Sequence, residues 1–202
     1  MKETSLLSQM EQYALQYRVP IISPAGASLL VETVRRRRPS SVLEIGTAIG
    51  YSTLLIAAQL PSQAKIVTIE QNPERARLAR QYLRQAGKLD QVTILIDDAG
   101  EAIPRLDRTF DFVFIDAAKG QYLDYLQKVV DKLMARAVVI ADNIFFRGLV
   151  EENMDPPRRY RTIVKRLRQY IDFITMDQRF ITDFYHVGDG IAVSNYQGER
   201  RQ

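Results

Sequence analysis

The sequence predicts an α/β fold, in which a mostly parallel sheet carries helices on both of its faces. Three observations support this fold class: short apolar runs recur along the chain, amphipathic helical stretches separate them, and an acidic residue stands at or near the end of most runs. Strands that alternate with helices of this length are typical of βαβ units, whose parallel strands are buried on both sides. No internal repeat or linker interrupts the 202 residues, so residues 1–202 are expected to form a single domain.

The elements follow one another regularly along the chain. Residues 1–38 predict two leading helices that break near Pro20 and Pro24. Residues 39–202 are expected to form the α/β core. Strands are predicted at 42–45, 65–70, 92–96, 110–116, 137–142 and 190–195. Helices are predicted between them at 52–59, 74–86, 122–133 and 159–171.

Composition and charge exclude several classes of protein. The chain is 46% hydrophobic and 26% charged, as is usual for a globular protein. No apolar run approaches the roughly 20 residues that span a bilayer, and the first residues lack a signal pattern, so a cytoplasmic protein without a membrane partner is expected. Without cysteine, and with His186 as the one histidine, the chain must hold any metal mainly through oxygen, which favours Mg²⁺.

A glycine-rich turn follows the first predicted strand, with the spacing Glu44-x-Gly46-x-x-x-Gly50. Glycine lets the backbone approach a ligand closely and adopt conformations that are unfavourable for other residues. The spacing differs from the G-x-G-x-x-G of dinucleotide-binding folds, whose glycines make room for a pyrophosphate. A carboxylate before the first glycine would repel a pyrophosphate but suits a cation, such as the ammonium and sulfonium groups of a methionine-derived cofactor.

Acidic residues after the next two strands extend this predicted cofactor site. Glu70 ends the second strand, about 20 residues beyond the turn, where an acidic residue commonly binds the hydroxyls of an adenosine ribose. Asp98 and Ala99 follow the third strand and are placed to meet an adenine edge. The alternative for Glu44 or Glu70 alone is a helix-capping or surface carboxylate.

Oxygen ligands also stand at the ends of two later strands. Asp116 ends the fourth strand, and Asp142 and Asn143 end the fifth. Because the carboxyl ends of neighbouring parallel strands meet at one edge of a sheet, these side chains are expected to lie together. Two carboxylates and an amide carbonyl match the ligands that Mg²⁺ accepts. Alone, the Asp-Asn pair is equally typical of a turn.

The string LEIGTAIGYS resembles the cofactor loop of class I O-methyltransferases of the catechol and caffeoyl-CoA group. The resemblance implies a Rossmann-like fold with a mostly parallel seven-stranded sheet, and S-adenosylmethionine as the cofactor. It implies that Glu44 and the backbone of Gly46 hold the methionine moiety and that Ser52 lines the same site. Ile22, in the segment VPII, is implied to contribute backbone contacts.

The same resemblance implies the chemistry. Asp116 would lie between the metal and the cofactor's methyl group and serve both, and Lys119, three residues later, would be the general base. The metal, Mg²⁺ or Mn²⁺, would bind a substrate hydroxyl, stabilise its deprotonated form and hold it in line with the sulfonium methyl group. The simpler interpretation of Lys119 is a solvated loop lysine.

The strings FIDAAKGQY, DNIFFRGLV, RRYR and VGDGIAVS resemble the bacterial tRNA 5-hydroxyuridine methyltransferases. This resemblance covers residues 12–195 and implies methylation of 5-hydroxyuridine, at the wobble position of a tRNA anticodon loop, to 5-methoxyuridine. Four arginines near the metal motif are candidate RNA contacts: Arg147, Arg158, Arg159 and Arg161. Phosphate contacts supply much of the affinity for RNA, and unpaired bases can be splayed into a pocket. The alternative for the arginines is a solvated helix face.

Other substrates and functions are compatible with some of the same sequence features. A small catechol would use the same metal residues, because its two adjacent oxygens can chelate one cation. A dinucleotide-dependent oxidoreductase is disfavoured by the glycine spacing. The resemblance also implies a homodimer, although relatives usually carry one more N-terminal helix that covers the site or builds the dimer. Asp97 stands where relatives often have glycine, which predicts a slightly different adenine loop.

Overall fold

A computed structural model describes residues 2–151 and 155–198 of the chain. The helices are α1 (Lys2–Tyr17), α2 (Pro24–Arg37), α3 (Tyr51–Gln59), α4 (Pro73–Gln85), α5 (Ala99–Ala102), α6 (Tyr122–Val130) and α7 (Arg161–Met176). The strands are β1 (Ser41–Ile45), β2 (Lys65–Glu70), β3 (Val92–Ile96), β4 (Phe110–Ile115), β5 (Leu133–Asp142), β6 (Phe180–Tyr185) and β7 (Ile191–Tyr196). Within the described ranges, no helix is long and apolar enough to cross a bilayer.

All seven strands form one sheet in the order β3-β2-β1-β4-β5-β7-β6. The strands from β1 to β5 are parallel, and β7 pairs antiparallel with both β5 and β6. The predicted Rossmann-like α/β fold with a mostly parallel seven-stranded sheet is therefore confirmed. The strand order reverses between β1 and β4, and such a reversal opens a crevice beyond the carboxyl ends of the two strands.

The side chains of each buried strand point alternately to the two faces of the sheet. Helices cover both faces, so both sets of side chains are buried. Leu43 and Val113 belong to a core that also includes residues of α5, α6 and α7. Val42 and Phe112 belong to a second core with residues of α1, α2, α3 and α4. Both sides of the central strands are thus apolar, so a polar side chain within them needs a hydrogen-bonding partner.

Several elements differ from the sequence prediction. The short helix α5 was not predicted, and α6 and α7 end at Val130 and Met176 instead of at 133 and 171. Two strands also differ. The strand β6 was not among the six predicted from the apolar runs; it lies at the edge of the sheet, where Ile181 is 58% exposed. The fifth strand begins at Leu133 rather than at 137, and its pairing with β4 shifts register between Phe110 and Phe112. Arg136 has a left-handed φ of 66° at that irregularity, so an apolar-periodicity pattern does not continue across it.

The two leading helices are joined by a short segment that reaches the site. Arg18, with a φ of 53°, follows the end of α1, and the Ser23 hydroxyl accepts a hydrogen bond from the Gly26 N–H to cap α2. Between them, Ile22 is 4% exposed and packs in the core with α2 and α3. The predicted break near Pro20 and Pro24 therefore places a non-helical segment over the ends of the strands.

Candidate active site

A cavity of about 310 Å³ opens at the carboxyl end of the sheet. The loops that follow β1, β2, β3 and β4 line it, together with the segment between α1 and α2. The predicted site residues that line this cavity are Ile22, Gly46, Ser52, Glu70, Asp98, Ala99, Asp116, Lys119 and Asn143. Glu44, Asp142 and the four predicted RNA-binding arginines lie outside its lining.

Gly46 allows the ends of β1 and β4 to approach each other beneath the cavity. Its φ is 102°, and a Cβ at this position would lie 2.1 Å from the backbone oxygen of Asp116. Its N–H donates to the backbone oxygen of Ile69 at 3.0 Å, which ties the turn to β2 as well. A larger residue would push the two strand ends apart, because both φ and the available space require glycine.

Glu44 lies behind the cavity wall and not in the cavity. Its side chain is fully buried, and its carboxylate accepts hydrogen bonds from the hydroxyls of Ser52 and Thr68, each at 2.6 Å, and of Thr53. Burial raises the pKa of Glu44 to about 7, although the three hydroxyl hydrogen bonds oppose that rise. The sequence suggested direct contact between Glu44 and the cofactor; the structure places Ser52 between Glu44 and the cavity instead.

The buried carboxylate fixes the direction of the hydroxyls around it. An ionised Glu44 can only accept, so Ser52 and Thr68 must both donate to it. The Thr68 oxygen lies 2.6 Å from that of Thr47, and because the Thr68 proton is already used, Thr47 is the donor of that pair. Thr47 and Ser52 line the cavity, and each has only acceptor lone pairs left for a ligand. This wall of the cavity therefore suits a cationic donor such as an ammonium group.

Carboxylates also line the cavity at the ends of β2 and β3. The Glu70 oxygens accept hydrogen bonds from the N–H groups of Ala48 and Asn72, at 2.8 and 2.9 Å, which hold the carboxylate in place. The Asp98 carboxylate accepts from the Gly100 N–H at 2.8 Å and caps α5. Asp97 pairs with Arg105, so the loop with the unusual aspartate is held by an ion pair. The remaining lone pairs of Glu70 suit the two hydroxyls of a ribose.

Two carboxylates stand at the ends of β4 and β5: Asp116, which is partly buried, and Asp142, which is buried. The Asp142 side chain is 1% exposed; burial raises its pKa to about 7, and the charge of Asp116 contributes to that rise. Burial also raises the pKa of Asp116, and this rise is opposed by Lys119, whose Nζ lies 4.0 Å from Asp116 Oδ1. The two carboxylates therefore repel each other in a region of low dielectric.

The donor set fits a hard divalent cation. Asp142 Oδ1 accepts the Asn143 N–H at 2.7 Å, whereas Asp142 Oδ2 is buried and has no hydrogen-bond partner among the described residues. A buried charged oxygen without a partner is unfavourable unless a cation binds it. Over residues 2–151 and 155–198, no three His, Cys, Asp or Glu side chains form a metal site. The metal ligands Asp116, Asp142 and Asn143, two carboxylates and one amide, therefore stay a prediction.

A model of the O-methyltransferase family matches residues 2–196 of the chain. The chain belongs to this family. Mouse catechol O-methyltransferase is 36% identical over 88% of this chain and 65% of the relative, and caffeoyl-CoA O-methyltransferase 1 of Eucalyptus globulus is 31% identical over 76% and 65%. The chain thus spans about two thirds of the length of these relatives.

Solved structures of other O-methyltransferases have the same fold. The enzyme from Bacillus cereus, in complex with S-adenosylhomocysteine (SAH), superposes with a TM-score of 0.85 at 26% identity and covers 95% of this chain and 90% of that one. TomG from Streptomyces achromogenes, in complex with S-adenosylmethionine, has a TM-score of 0.86 at 27% identity, over 96% and 90% of the two chains.

In this O-methyltransferase family member, arginine and aromatic side chains gather beyond the metal motif. The Arg147 guanidinium donates to the Tyr160 hydroxyl at 3.1 Å, and the Arg159 guanidinium lies 4.5 Å from the centre of the Tyr160 ring. The Phe146 and Tyr160 rings meet edge to face at 5.3 Å. We call Phe146, Arg147, Arg159 and Tyr160 the arginine–aromatic surface. It joins the loop after β5 to the start of α7.

The other predicted RNA contacts have different surroundings. Arg158 is exposed, and Arg161 pairs with the exposed Asp155 at 3.1 Å. Two aromatic residues near the metal motif, Phe145 and Tyr122, are buried and pack within the core, so neither presents its ring to a ligand. Phe146 is only partly buried.

The loop after β5 has a constrained backbone in this family member. Asn143, Phe146 and Arg147 have left-handed φ values of 56°, 43° and 61°. The Asp189 carboxylate accepts the Arg147 N–H, and the backbone oxygen of Asp189 accepts the Phe145 N–H at 2.9 Å. Such backbone conformations persist where the surrounding contacts hold them, as at binding and catalytic sites. The contacts with Asp189 therefore fix the arginine–aromatic surface next to Asn143.

Sequence reasoning did not identify three further residues that line the cavity, namely Thr47, Arg75 and Tyr125. Thr47 stands inside the glycine turn, and its role depends on Thr68 of the neighbouring strand. Arg75 lies in the first turn of α4, and Tyr125 lies on α6. Arg75 and Tyr125 carry no motif signal, because each becomes part of the site only through the packing of separate elements. Thr47 lies within the LEIGTAIGYS string, but its hydrogen bond to Thr68 depends on the neighbouring strand.

Proposed function

We propose that the protein is an O-methyltransferase that uses S-adenosylmethionine and a divalent cation. The observation that carries this proposal is one cavity that is lined by an acceptor-only wall, by a ribose-type carboxylate and by two of the three oxygen donors, Asp116 and Asn143. The wall of Thr47 and Ser52 would accept the methionine ammonium, Glu70 the ribose hydroxyls and Asp98 the adenine edge. The relatives that bind S-adenosylmethionine or SAH support this assignment.

Asp116, Asp142 and Asn143 would hold the metal, Mg²⁺ or Mn²⁺. When bound, such a cation supplies Lewis-acid stabilisation of a deprotonated substrate hydroxyl. The buried position of Asp142 and its unpartnered Oδ2 support this role, because a cation would offset the repulsion between the two carboxylates. Substrates with two adjacent oxygens fit the proposal, since both oxygens can be held at once.

Lys119 is placed to move the proton. Its Nζ lies 4.0 Å from Asp116 Oδ1, and both side chains are mostly buried. In the proposed reaction Lys119, as the general base, takes the proton of the substrate hydroxyl. S-adenosylmethionine, held by Thr47, Ser52 and Glu70, would supply the methyl group: the substrate oxygen would bond to the methyl carbon as the sulfur–methyl bond breaks and leaves its electron pair on sulfur. The products are the methyl ether, SAH and a protonated lysine.

We propose 5-hydroxyuridine in a tRNA anticodon loop as the substrate. The arginine–aromatic surface supports this choice, because guanidinium groups bind phosphates and aromatic rings stack on unpaired bases. The arginine–aromatic surface begins three residues after Asn143. A nucleotide of the anticodon loop that is bound there would therefore lie over the proposed metal residues. A second candidate, a small catechol, is favoured by the relatives named catechol O-methyltransferase.

The two substrates can be separated by a methyl-transfer assay. With labelled S-adenosylmethionine, Mg²⁺ and tRNA that contains 5-hydroxyuridine, we expect label in 5-methoxyuridine, measured by nucleoside analysis. Arg159→Ala should lower the slope of log affinity against log salt by about 0.7, the value for one phosphate contact to a single strand. Arg36→Ala is the matched control, since Arg36 is exposed near the amino end of β1, away from the cavity.

Brisk methylation of a small catechol without transfer to tRNA would assign the protein to the second candidate. In that case neither arginine variant should alter the rate, because a catechol carries no phosphate. SAH affinity serves as a check on both variants and should equal that of the wild type, since neither Arg159 nor Arg36 lines the cofactor cavity.

A further inference from the structure

Tyr122 connects the two loops that carry the proposed metal carboxylates. It is the first residue of α6, and its side chain is 1% exposed. The phenol donates to the backbone oxygen of Asp142 at 3.0 Å. Tyr122 directly follows the segment that links β4 to α6, and this segment begins with Asp116. One buried hydroxyl therefore ties the end of that segment to the end of β5.

This bridge stands where the backbone pairing of the two strands stops. The register between β4 and β5 ends with the pair Ile115 and Ala141. Asp116 and Asp142 are the next residues along the chain, beyond this last register pair. Their like charges favour a wider spacing in the absence of a cation. The Tyr122 hydroxyl supplies the hydrogen-bonded link that continues beyond the ladder.

A second buried tyrosine provides an internal comparison. The rings of Tyr122 and Tyr170 meet edge to face at 5.7 Å, and both are fully buried in the same core. The Tyr170 hydroxyl, however, has no hydrogen-bond partner among the described residues. The two tyrosines therefore share burial and ring packing but differ in whether the hydroxyl joins the metal loops.

We propose that Tyr122 is a positioning residue that sets the separation of Asp116 and Asp142 for a divalent cation. This role rests on the proposed metal site. Tyr122 does not line the cavity, so its effect would pass through the Asp142 carbonyl that accepts its hydroxyl proton. Groups that orient metal ligands in this way typically change metal affinity by about 10- to 100-fold when removed.

The test compares Mn²⁺ binding by the wild type, Tyr122→Phe and Tyr170→Phe, with free Mn²⁺ measured by electron paramagnetic resonance. Saturating SAH is present throughout, because a ligand of the folded state offsets a loss of stability in either variant. We expect Tyr122→Phe to weaken Mn²⁺ binding about 10- to 100-fold. Tyr170→Phe should bind Mn²⁺ as the wild type does. SAH affinity, measured without metal, should be the same in all three proteins.

A conservative replacement extends the comparison. With 4-aminophenylalanine at position 122, an N–H donor again faces the Asp142 carbonyl, and Mn²⁺ affinity should recover in part. Equal Mn²⁺ affinity in Tyr122→Phe and the wild type would overturn the positioning role while leaving the metal site intact. Equal losses in Tyr122→Phe and Tyr170→Phe would overturn it too, since general packing would then explain both. A wild type that binds no Mn²⁺ would overturn the metal assignment itself.

Discussion

Replacing Asp142 with asparagine is expected to lower methyl transfer at least about 100-fold and, at the same time, to stabilise the metal-free protein. The loss of activity follows because the substitution removes one of two proposed anionic metal ligands, while the Oδ1 that accepts the Asn143 N–H has an isosteric counterpart. SAH affinity should not change, because Asp142 does not line the cofactor cavity.

The gain in stability follows from the raised pKa of Asp142. The group titrates at about 7 in the folded protein instead of 3.8, so the native state retains its proton to higher pH than the unfolded state. The stability that protonated Asp142 contributes to the wild type is therefore lost as pH rises from about 4 to about 7. Asparagine does not ionise, so the Asp142→Asn variant does not lose it. In EDTA at pH 8, Asp142→Asn should melt at a higher temperature than the wild type.

Thermal unfolding with and without Mg²⁺ checks both parts of this expectation. Mg²⁺ should raise the melting temperature of the wild type but not that of Asp142→Asn, because a ligand stabilises only the state that binds it. Asp90→Asn is the matched control: Asp90 is exposed before β3, at the opposite end of the sheet, and should behave as the wild type. Full activity of Asp142→Asn, or of the wild type in EDTA, would contradict the metal assignment.

The parts of the fold that the sequence predicted are those with strong local signals. β2 and β3 have the predicted bounds, because buried parallel strands are continuous apolar runs between turn residues. The position of Asp116, Asp142 and Asn143 at one edge of the sheet was predictable for a related reason: residues that follow neighbouring parallel strands must meet at one edge. β6 was missed because an edge strand such as Phe180–Tyr185 exposes residues on both of its faces and has no such run.

The contacts behind the cavity could not be predicted from local patterns. Glu44 stands in a strand whose neighbouring residues are buried, and only the packing of α3 places Ser52 and Thr53 against its carboxylate. Tyr122 likewise resembles any aromatic residue on an apolar helix face. Its proposed role depends on the position of the Asp142 carbonyl, at the end of a strand that is separate from α6 in the sequence.

Replacing Glu44 with glutamine is expected to weaken SAH binding about 10- to 100-fold, since hydrogen bonds to a charged group contribute about 1.5–3 kcal/mol. The amide has one accepting oxygen and one donating nitrogen. If its nitrogen faces Ser52, that hydroxyl must accept, and its proton turns towards the cavity. If the nitrogen faces Thr68, Thr68 donates to Thr47, and the Thr47 proton turns towards the cavity. Either orientation directs a proton at the proposed site of the methionine ammonium.

The choice of ligand separates this effect from a loss of packing. Methylthioadenosine lacks the amino-acid part of SAH, so Glu44→Gln should bind it as the wild type does, whereas a disordered pocket would lose both ligands. Glu32→Gln, an exposed position on α2, is the matched control and should bind both normally.

Wild-type SAH affinity should also fall as pH drops through about 7, because protonated Glu44 donates one hydrogen bond and reverses one hydroxyl. Calorimetry from pH 6 to 8 measures this directly. If Glu44→Gln retained that pH dependence, another group would be responsible for it. The proposed control of SAH binding by Glu44 would then be wrong.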